Sequence, residues 1–184
     1  MTNLATVLAV VLHQVEPTIV EDRLKLVAED MDTVVKTEFE NGTMKSGISH
    51  IDALSMLAAA VTIESHLSES VENCKAVGDG GRSVGLGQVM NGPNWEGHTR
   101  KEICSNRRLQ LTLALHVIDR CWAGTPQADA ALRCYTSGDS KKNSYAARAE
   151  FAVYKKARAA LDNSSAKSPK IIVENSGIKL ANNP

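Results

Sequence analysis

Aromatic side chains are scarce in this sequence, and its charges cancel. Phe, Trp and Tyr together make up 4% of the 184 residues, whereas 43% of the residues are hydrophobic. The core must therefore be built mainly from Ala, Leu, Val and Ile, as is usual where helices pack together. The formal net charge is zero, which argues against a dedicated nucleic-acid-binding protein, because such proteins present a basic surface. Length and composition favour one compact domain with a short appendage, and no internal repeat is visible.

The sequence has no apolar run long enough to cross a bilayer. The apolar stretch at its beginning is interrupted by His13 and Gln14, which leaves it shorter than the roughly 20 residues that a spanning helix needs. The same stretch has neither a basic start nor a small-residue cleavage site, so it is a poor signal peptide. We expect no membrane span, and we predict that residues 3–15 form an amphipathic packing helix.

Acidic and basic side chains are unevenly distributed along the chain. Residues 1–74 hold 4 Lys/Arg and 12 Asp/Glu, whereas residues 75–184 hold 17 and 9. The basic half would favour an anionic polymer as ligand. Ordinary solvated helix faces explain the same pattern equally well.

The four cysteines, Cys74, Cys104, Cys121 and Cys134, lack the Cys-x-x-Cys spacing of a metal site. We therefore expect no metal and no organic cofactor. Three disulfide pairings exist in principle. Pairing Cys121 with Cys134 looks strained if they lie near opposite ends of an antiparallel helix pair, whereas Cys74 with Cys104 would tie a loop to the next helix. We predict buried free thiols, because Cys121 falls on an apolar helix face.

One helix combines an apolar face with a carboxylate. Glu64 follows Ala60 by four positions and Leu57 by seven, so its side chain shares a face with apolar residues. Loss of water raises the pKa of a carboxyl group, and a raised pKa lets Glu act as a general acid near neutral pH. The simpler interpretation of the helix by itself is a solvated Glu near a helix end.

A glycine-rich loop follows this helix, with Gly78-Asp79-Gly80-Gly81 and then Gly85-Leu86-Gly87-Gln88. Glycine permits positive φ and a tight hairpin, and it lets a ligand approach the backbone amides closely. The amide of Gln88 suits a neutral polar ligand. A loop of this kind is by itself common in hairpins.

Three elements occur in an order that resembles the lysozyme-like group of lytic transglycosylases and goose-type lysozymes. They are Glu64-Ser65, Gly85-Leu86-Gly87-Gln88 and Arg133-Cys134-Tyr135-Thr136-Ser137-Gly138. That group carries Glu-Ser on a helix, Gly-Leu-Met-Gln in a hairpin and then Ala-Tyr-Asn-x-Gly. The resemblance covers residues 50–158. Two residues depart from the pattern at the expected sugar groove, since Gly87 stands where Met is usual and Thr136 where Asn is usual.

The resemblance implies a mainly α, lysozyme-like domain with a small β-hairpin beside the catalytic helix. It implies that Glu64 is the catalytic acid. It also implies that the sugars bind to a set of loop and helix residues: Ser65, Gly85, Leu86, Gln88, Trp95, Tyr135 and Tyr145.

Asp79 is the only attractive second carboxylate, and two roles stay open for it. In the goose-type branch an Asp in this hairpin is proposed to position water. The alternative is that Asp79 shapes the turn between Gly78 and Gly80, as Asp commonly does.

Several other side chains have a structural alternative. Trp95 either stacks on a sugar or covers the core, and Tyr135 either hydrogen-bonds near Glu64 or is a plain core tyrosine. We interpret His66 as a surface histidine, because positions i and i+2 do not face each other on a helix. His116 is interpreted as a structural histidine.

We divide the chain into an N-terminal helical segment (1–48), a lysozyme-like catalytic domain (49–162) and a C-terminal tail (163–184). Pro17 is predicted to open a second helix with an acidic outer face, which packs on the catalytic domain or on a partner. Further helices are predicted at residues 49–67, 106–122, 127–135 and 145–161. The tail contains a lone β-like run, residues 171–173, that either extends a partner's sheet or is disordered.

The leading functional hypothesis is cleavage of the β-1,4 bond between N-acetylmuramic acid and N-acetylglucosamine in peptidoglycan by a lytic transglycosylase. The alternatives are a goose-type hydrolase that uses Asp79, and an inactive wall-binding component of a phage particle or secretion machine. The expected partner is the glycan strand, with virion or secretion-complex proteins as candidates for the N-terminal helices or the tail. Without a signal peptide, the protein would reach the wall through a holin or within a virion.

Overall fold

The computed structural model describes residues 3–76, 78–166, 171–174 and 177–180. These residues form eight helices: α1 (Leu4–Val15), α2 (Glu21–Glu40), α3 (His50–Ser65), α4 (Glu69–Glu72), α5 (Arg100–Cys104), α6 (Arg107–Gly124), α7 (Ala128–Ser137) and α8 (Tyr145–Ala166). Four short strands accompany them: β1 (Ser83–Val84), β2 (Val89–Met90), β3 (Ile171–Glu174) and β4 (Gly177–Leu180). The prediction of a mainly α fold with a small β-hairpin is confirmed.

Helix α3 lies at the centre of the molecule. Ser49 caps its first turn by accepting a hydrogen bond from the Asp52 amide. Every residue from Ala53 to Thr62 is buried, and α3 packs on α1, α2, α6, α7 and α8. The helix ends because His66 and Leu67 both adopt positive φ, which turns the chain sharply just after Glu64. A core helix thus delivers Glu64 to the point where the chain leaves the core.

Helices α1 and α2 share the hydrophobic core of the rest of the chain. Leu8, Leu12, Leu24 and Met31 are fully buried, and α2 packs on both α3 and α6. Of the two predicted positions for the second helix, on the rest of the chain or on a partner, the structure shows the first. Pro17 lies in a turn rather than opening a helix, since α2 begins at Glu21.

The prediction of an acidic outer face on α2 is wrong in part. Asp32 is buried, and Asp30 accepts hydrogen bonds from Arg107 and Arg108 of α6. The separation of charge seen in the sequence thus serves in part to hold α2 on α6.

A network of ion pairs fixes the segment that follows α3. Glu72 pairs with Arg23 of α2 at 2.6 Å and with Arg107 of α6 at 2.7 Å. Arg23 also donates a hydrogen bond to the carbonyl of Leu67 at 2.8 Å. These side chains are largely shielded from solvent, so the network is screened less than a surface pair.

Both disulfides form, so the prediction of free thiols is wrong. Cys74 pairs with Cys104 and Cys121 with Cys134, with Cα–Cα distances of 5.5 and 5.6 Å. The pairing of Cys121 with Cys134 would be strained only if the two residues lay near opposite ends of an antiparallel helix pair. Instead, the part of α7 that carries Cys134 lies against the last turn of α6.

The C-terminal β-like run is not alone. Strand β3 pairs antiparallel with β4, with Ile171 opposite Leu180. The residues around these strands lie outside the described part of the chain. The alternative prediction for the tail, disorder, falls on those residues. Among the described helices, none is both long and apolar enough to cross a membrane.

Candidate active site

A groove of about 1000 Å³ opens beside the end of α3. Glu64 lies on its wall, together with Asp79 and Gln88 from the glycine-rich loop and with Tyr135 and Thr136 from α7. The structure therefore brings together residues from all three elements that carried the family resemblance. These elements are far apart in the sequence, and they meet because α3 and α7 pack on each other and on α6.

Glu64 sits in the environment that its helical position predicts. The side chain is half-buried, and the residues four and seven positions before it are fully buried. Burial raises the pKa of Glu64 and outweighs a hydrogen bond with the Glu150 side chain, which lowers it; the negative charge of Asp79 raises it further. A carboxyl group with a raised pKa on a groove wall can donate a proton to a bound molecule near neutral pH.

Glu150 of α8 is a carboxyl group that the sequence analysis missed. The residue has no exposed surface. Its carboxyl group lies within hydrogen-bonding reach of the Glu64 carboxyl group, and with both groups ionised neither oxygen of Glu150 finds a donor in the described part of the chain. Burial, and next the adjacent Glu64, raise the pKa of Glu150 to about 10. The helical period could have identified Glu150 as a buried position, because it precedes the buried Val153 by three residues and the buried Ala157 by seven.

Asp79 takes part in a tight turn and also faces the groove. Its φ is +50°, a conformation that Asp tolerates better than most residues. Its carboxylate accepts a hydrogen bond from the Ser83 hydroxyl at 3.1 Å, and its carbonyl accepts one from Arg82 Nε at 3.1 Å. Asp79 therefore shapes this turn, and its side chain also lies on the groove wall; its role in positioning water stays a prediction.

The side chain of Gln110 on α6 holds the glycine-rich loop in place through hydrogen bonds. Its side-chain oxygen accepts a hydrogen bond from the Leu86 amide at 2.8 Å, and its nitrogen donates to the carbonyls of Glu72 and Ile103 at 2.9 Å each. Gly85 has a φ of +73°, and a Cβ placed on it would lie 2.7 Å from the Gln110 side chain. The glycine is therefore required for this close approach, and the loop backbone is held in one position.

The departure at Gly87 has a structural cause. A Cβ on this residue would lie 2.6 Å from the Cβ of Ala114 and 2.8 Å from the hydroxyl of Tyr135. Tyr135 donates a hydrogen bond to the Gly87 carbonyl at 2.6 Å. The backbone of the loop thus occupies the place that a larger side chain would need.

Tyr135 contacts the loop rather than holding Glu64 by a hydrogen bond. Burial of its hydroxyl group, together with the nearby carboxyl groups of Glu64 and Glu150, raises the pKa of Tyr135 well above its usual value. The hydroxyl therefore stays protonated and remains a donor to Gly87.

Five residues predicted to bind sugar lie away from the groove wall. Ser65 is buried, and its hydroxyl donates to the Val61 carbonyl at 2.7 Å. The indole nitrogen of Trp95 donates to the Val89 carbonyl at 3.0 Å, and its ring packs on the core. Tyr145 is 81% exposed, and Gly85 and Leu86 act through the backbone described above.

Basic side chains that the sequence analysis did not select also line the groove. They are Arg82, Arg120 and Lys142. Arg120 donates a hydrogen bond to Asn94 at 2.8 Å, which fixes the loop carrying Trp95. The groove wall therefore mixes two carboxylates with three cations.

His116 has the structural role expected for it. Its Nε2 lies 2.9 Å from Glu38, and its Nδ1 lies 3.0 Å from Glu96. Burial lowers the pKa of His116, but hydrogen bonds and charge from these two carboxylates outweigh burial and raise it. His66 is an exposed partner of Glu16, as its position on the helix suggested.

Within the described residues no group of three or more His, Cys, Asp or Glu side chains has the arrangement of a metal site. Comparison of the chain with known protein families, curated proteins and solved structures finds no match. The function is therefore argued from the groove itself.

Proposed function

We propose that this protein cleaves the β-1,4 bond between N-acetylmuramic acid and N-acetylglucosamine in peptidoglycan, as a lytic transglycosylase. The observation that carries the proposal is the position of Glu64, a half-buried carboxyl group with a raised pKa on the wall of a large groove. The groove volume of about 1000 Å³ lies at the upper end of the range for small-molecule sites. The order of Glu64, the glycine-rich loop and Tyr135 along the sequence supports the same assignment.

Glu64 would act twice in this reaction. It first donates its proton to the glycosidic oxygen while the bond between that oxygen and the anomeric carbon breaks. The resulting Glu64 carboxylate then takes the proton of the 6-hydroxyl group of N-acetylmuramic acid, whose oxygen forms the new bond to the anomeric carbon. The product is a 1,6-anhydro sugar, and Glu64 is again protonated.

The fixed loop supports binding of neutral N-acetyl sugars. Gln88 lies on the groove wall, and its amide nitrogen donates to the Gly85 carbonyl at 2.9 Å. The rest of its amide is available to a sugar. Because Gln110 and Tyr135 hold the loop, its hydrogen-bonding groups need no reordering on binding.

A hydrolase is the second candidate, and Asp79 is the observation that favours it. Asp79 lies on the same groove wall as Glu64, and its negative charge raises the pKa of Glu64. A hydrolase that inverts configuration needs a second carboxylate to activate water. In that case the product would be a reducing sugar.

Digestion of purified peptidoglycan, followed by mass spectrometry of the soluble products, tests the proposal. We expect anhydro products, which are lighter than reducing products by one water. Glu64→Gln should abolish product formation, whereas Glu40→Gln, a change at an exposed residue, should leave it intact. Reducing products would favour the hydrolase, and Asp79→Asn should then abolish them. No product from the folded wild-type protein would favour a wall-binding role.

A further inference from the structure

The buried carboxyl group of Glu150 has no use in the reaction as described so far. It lies on α8, which packs closely on α3, and it is absent from the groove wall. Burying a carboxyl group without a hydrogen-bond partner lowers stability. A buried acid whose hydrogen-bonding neighbour is the candidate catalytic acid therefore calls for an explanation other than packing.

Glu64 is the neighbour through which Glu150 can act. The two carboxyl groups influence each other's protonation directly. The third titratable group at this place, the Tyr135 hydroxyl, is already bound to the Gly87 carbonyl. Asp79 lies on the groove wall, which Glu150 does not line, and its carboxylate accepts a hydrogen bond from the Ser83 hydroxyl. Within the described residues, Glu64 is thus the polar group that faces Glu150.

Two adjacent carboxyl groups in a poorly solvated place cannot both ionise at low cost. Glu150 has no exposed surface, whereas Glu64 is half-buried and faces the groove. The negative charge therefore belongs on Glu64, and the proton stays on Glu150. A protonated carboxyl group is a hydrogen-bond donor.

We propose that Glu150 is a positioning residue that stays a neutral carboxylic acid and donates its O–H hydrogen bond to the Glu64 carboxylate formed during the reaction. Glu64 gives its own proton to the glycosidic oxygen, and the Glu150 proton remains on Glu150 throughout. When Glu64 takes the proton of the 6-hydroxyl group, the starting state returns. The reactive role of the pair depends on the proposed function, but the pairing of the two carboxyl groups does not.

Two substitutions separate this role from simple packing. Glu150→Gln keeps the shape and retains an N–H donor, whereas Glu150→Met keeps the approximate volume and removes the donor. Ser164→Ala is the matched control, because Ser164 is another buried residue of α8 whose hydroxyl lacks a partner within the described chain. If Glu150 were only a structural polar residue, its substitution, like that of Ser164, would leave the pH profile of the reaction unchanged.

The reaction measured is release of soluble products from purified peptidoglycan as a function of pH. We expect Glu150→Met to lower kcat by about 10- to 100-fold, the effect of losing a hydrogen bond to a charged group. We also expect the alkaline limb of the pH–rate profile of Glu150→Met to move to higher pH. The carboxylate form of Glu64 has lost a hydrogen-bond donor, so the pKa of Glu64 rises. Glu150→Gln should recover most of the lost rate and place the limb near that of the wild type. Similar pH profiles for the Met and Gln variants would overturn the proposal.

A measurement without substrate distinguishes failure of this inference from failure of the proposed function. Titration of the Glu side-chain carboxyl carbons by NMR should show Glu150 protonated through the neutral range. Glu64 should titrate at higher pH in Glu150→Met than in the wild type, Glu150→Gln or Ser164→Ala. If these shifts occur but the wild type cleaves no peptidoglycan, the pair stands and the function fails. If the wild type cleaves and Glu64 titrates alike in all four proteins, the pair is refuted.

Discussion

The hydroxyl of Tyr135 donates a hydrogen bond to the Gly87 carbonyl at 2.6 Å, and so α7 is fixed to the glycine-rich loop. We expect Tyr135→Phe to leave that carbonyl without its donor and to lower the free energy of unfolding by about 1–3 kcal/mol. Urea denaturation measures the change. Tyr145→Phe is the control, since Tyr145 is 81% exposed and its loss of a hydroxyl should have no effect. Equal stability of the two variants would contradict the importance of this bond.

The close approach at Gly87 predicts the effect of a single added methyl group. Gly87→Ala would place a Cβ against Ala114 and the Tyr135 hydroxyl, so we expect a loss of about 1–3 kcal/mol in the free energy of unfolding. Gly124→Ala is the matched control, because a Cβ there meets no atom of the described chain within 4 Å. Thermal unfolding should show a lower Tm for the first variant only. A Gly87→Ala protein as stable as the wild type would mean that the loop can shift.

The raised pKa of Glu150 predicts how stability depends on pH. In the folded protein this pKa is about 10, whereas an unfolded Glu titrates at about 4.3. The folded state therefore keeps a proton that the unfolded state loses, and this group's contribution to stability falls as pH rises from about 4.3 toward the folded value. Glu150→Met should be more stable than the wild type by an amount that grows with pH over this range. Urea titrations at several pH values test this, and the effect of Ser164→Ala should be constant.

His116 predicts a second effect of pH on stability, which has the same direction. Its folded pKa is raised because Glu38 and Glu96 outweigh burial, so its stabilising contribution is complete below the unfolded value of about 6.5 and is lost as pH rises through the folded value. We expect His116→Gln to cost about 1 kcal/mol at low pH and less at high pH. His98→Gln, at an exposed residue, serves as the control. A cost that does not change with pH would show that His116 acts without its charge.

The two disulfides should each stabilise the fold by about 2–4 kcal/mol. Their sequence separations are 30 and 13 residues, so in the chain-entropy view Cys74–Cys104 contributes somewhat more. Denaturation of the paired variants Cys74→Ser/Cys104→Ser and Cys121→Ser/Cys134→Ser measures both. The second pair should also perturb the groove, because both of its cysteines lie on the groove wall. Unchanged stability in either variant would contradict its structural role.

Helical periodicity predicted most of the fold, because apolar faces depend on local spacing. It placed α1, α3, α6, α7 and α8 within a few residues of their observed bounds. It also placed Glu64 correctly at the end of an apolar face. The same period applied backward along α8 from Val153 and Ala157 selects Glu150 as a buried position.

The rest of the site depends on contacts between distant residues, which spacing along the chain does not encode. Gln110 reaches Leu86 over a separation of 24 positions, and Tyr135 reaches Gly87 over 48. The disulfide at Cys121 was missed for the same reason, since it depends on how α6 and α7 meet. The need for glycine at position 87 follows only from the packing of Ala114 and Tyr135 against it.

The order in which these contacts arise has a consequence for synthesis on the ribosome. The chain segment that holds Glu64 is made early, its loop anchors on α6 and α7 are made later, and α8 with Glu150 follows them. A nascent chain that has not yet exposed α8 therefore lacks the helix that covers α3, and its groove cannot have its final form. The site is completed only once α8 has been made, so a chain that terminates before α8 would contain every groove residue in its sequence but would lack the helix that covers α3.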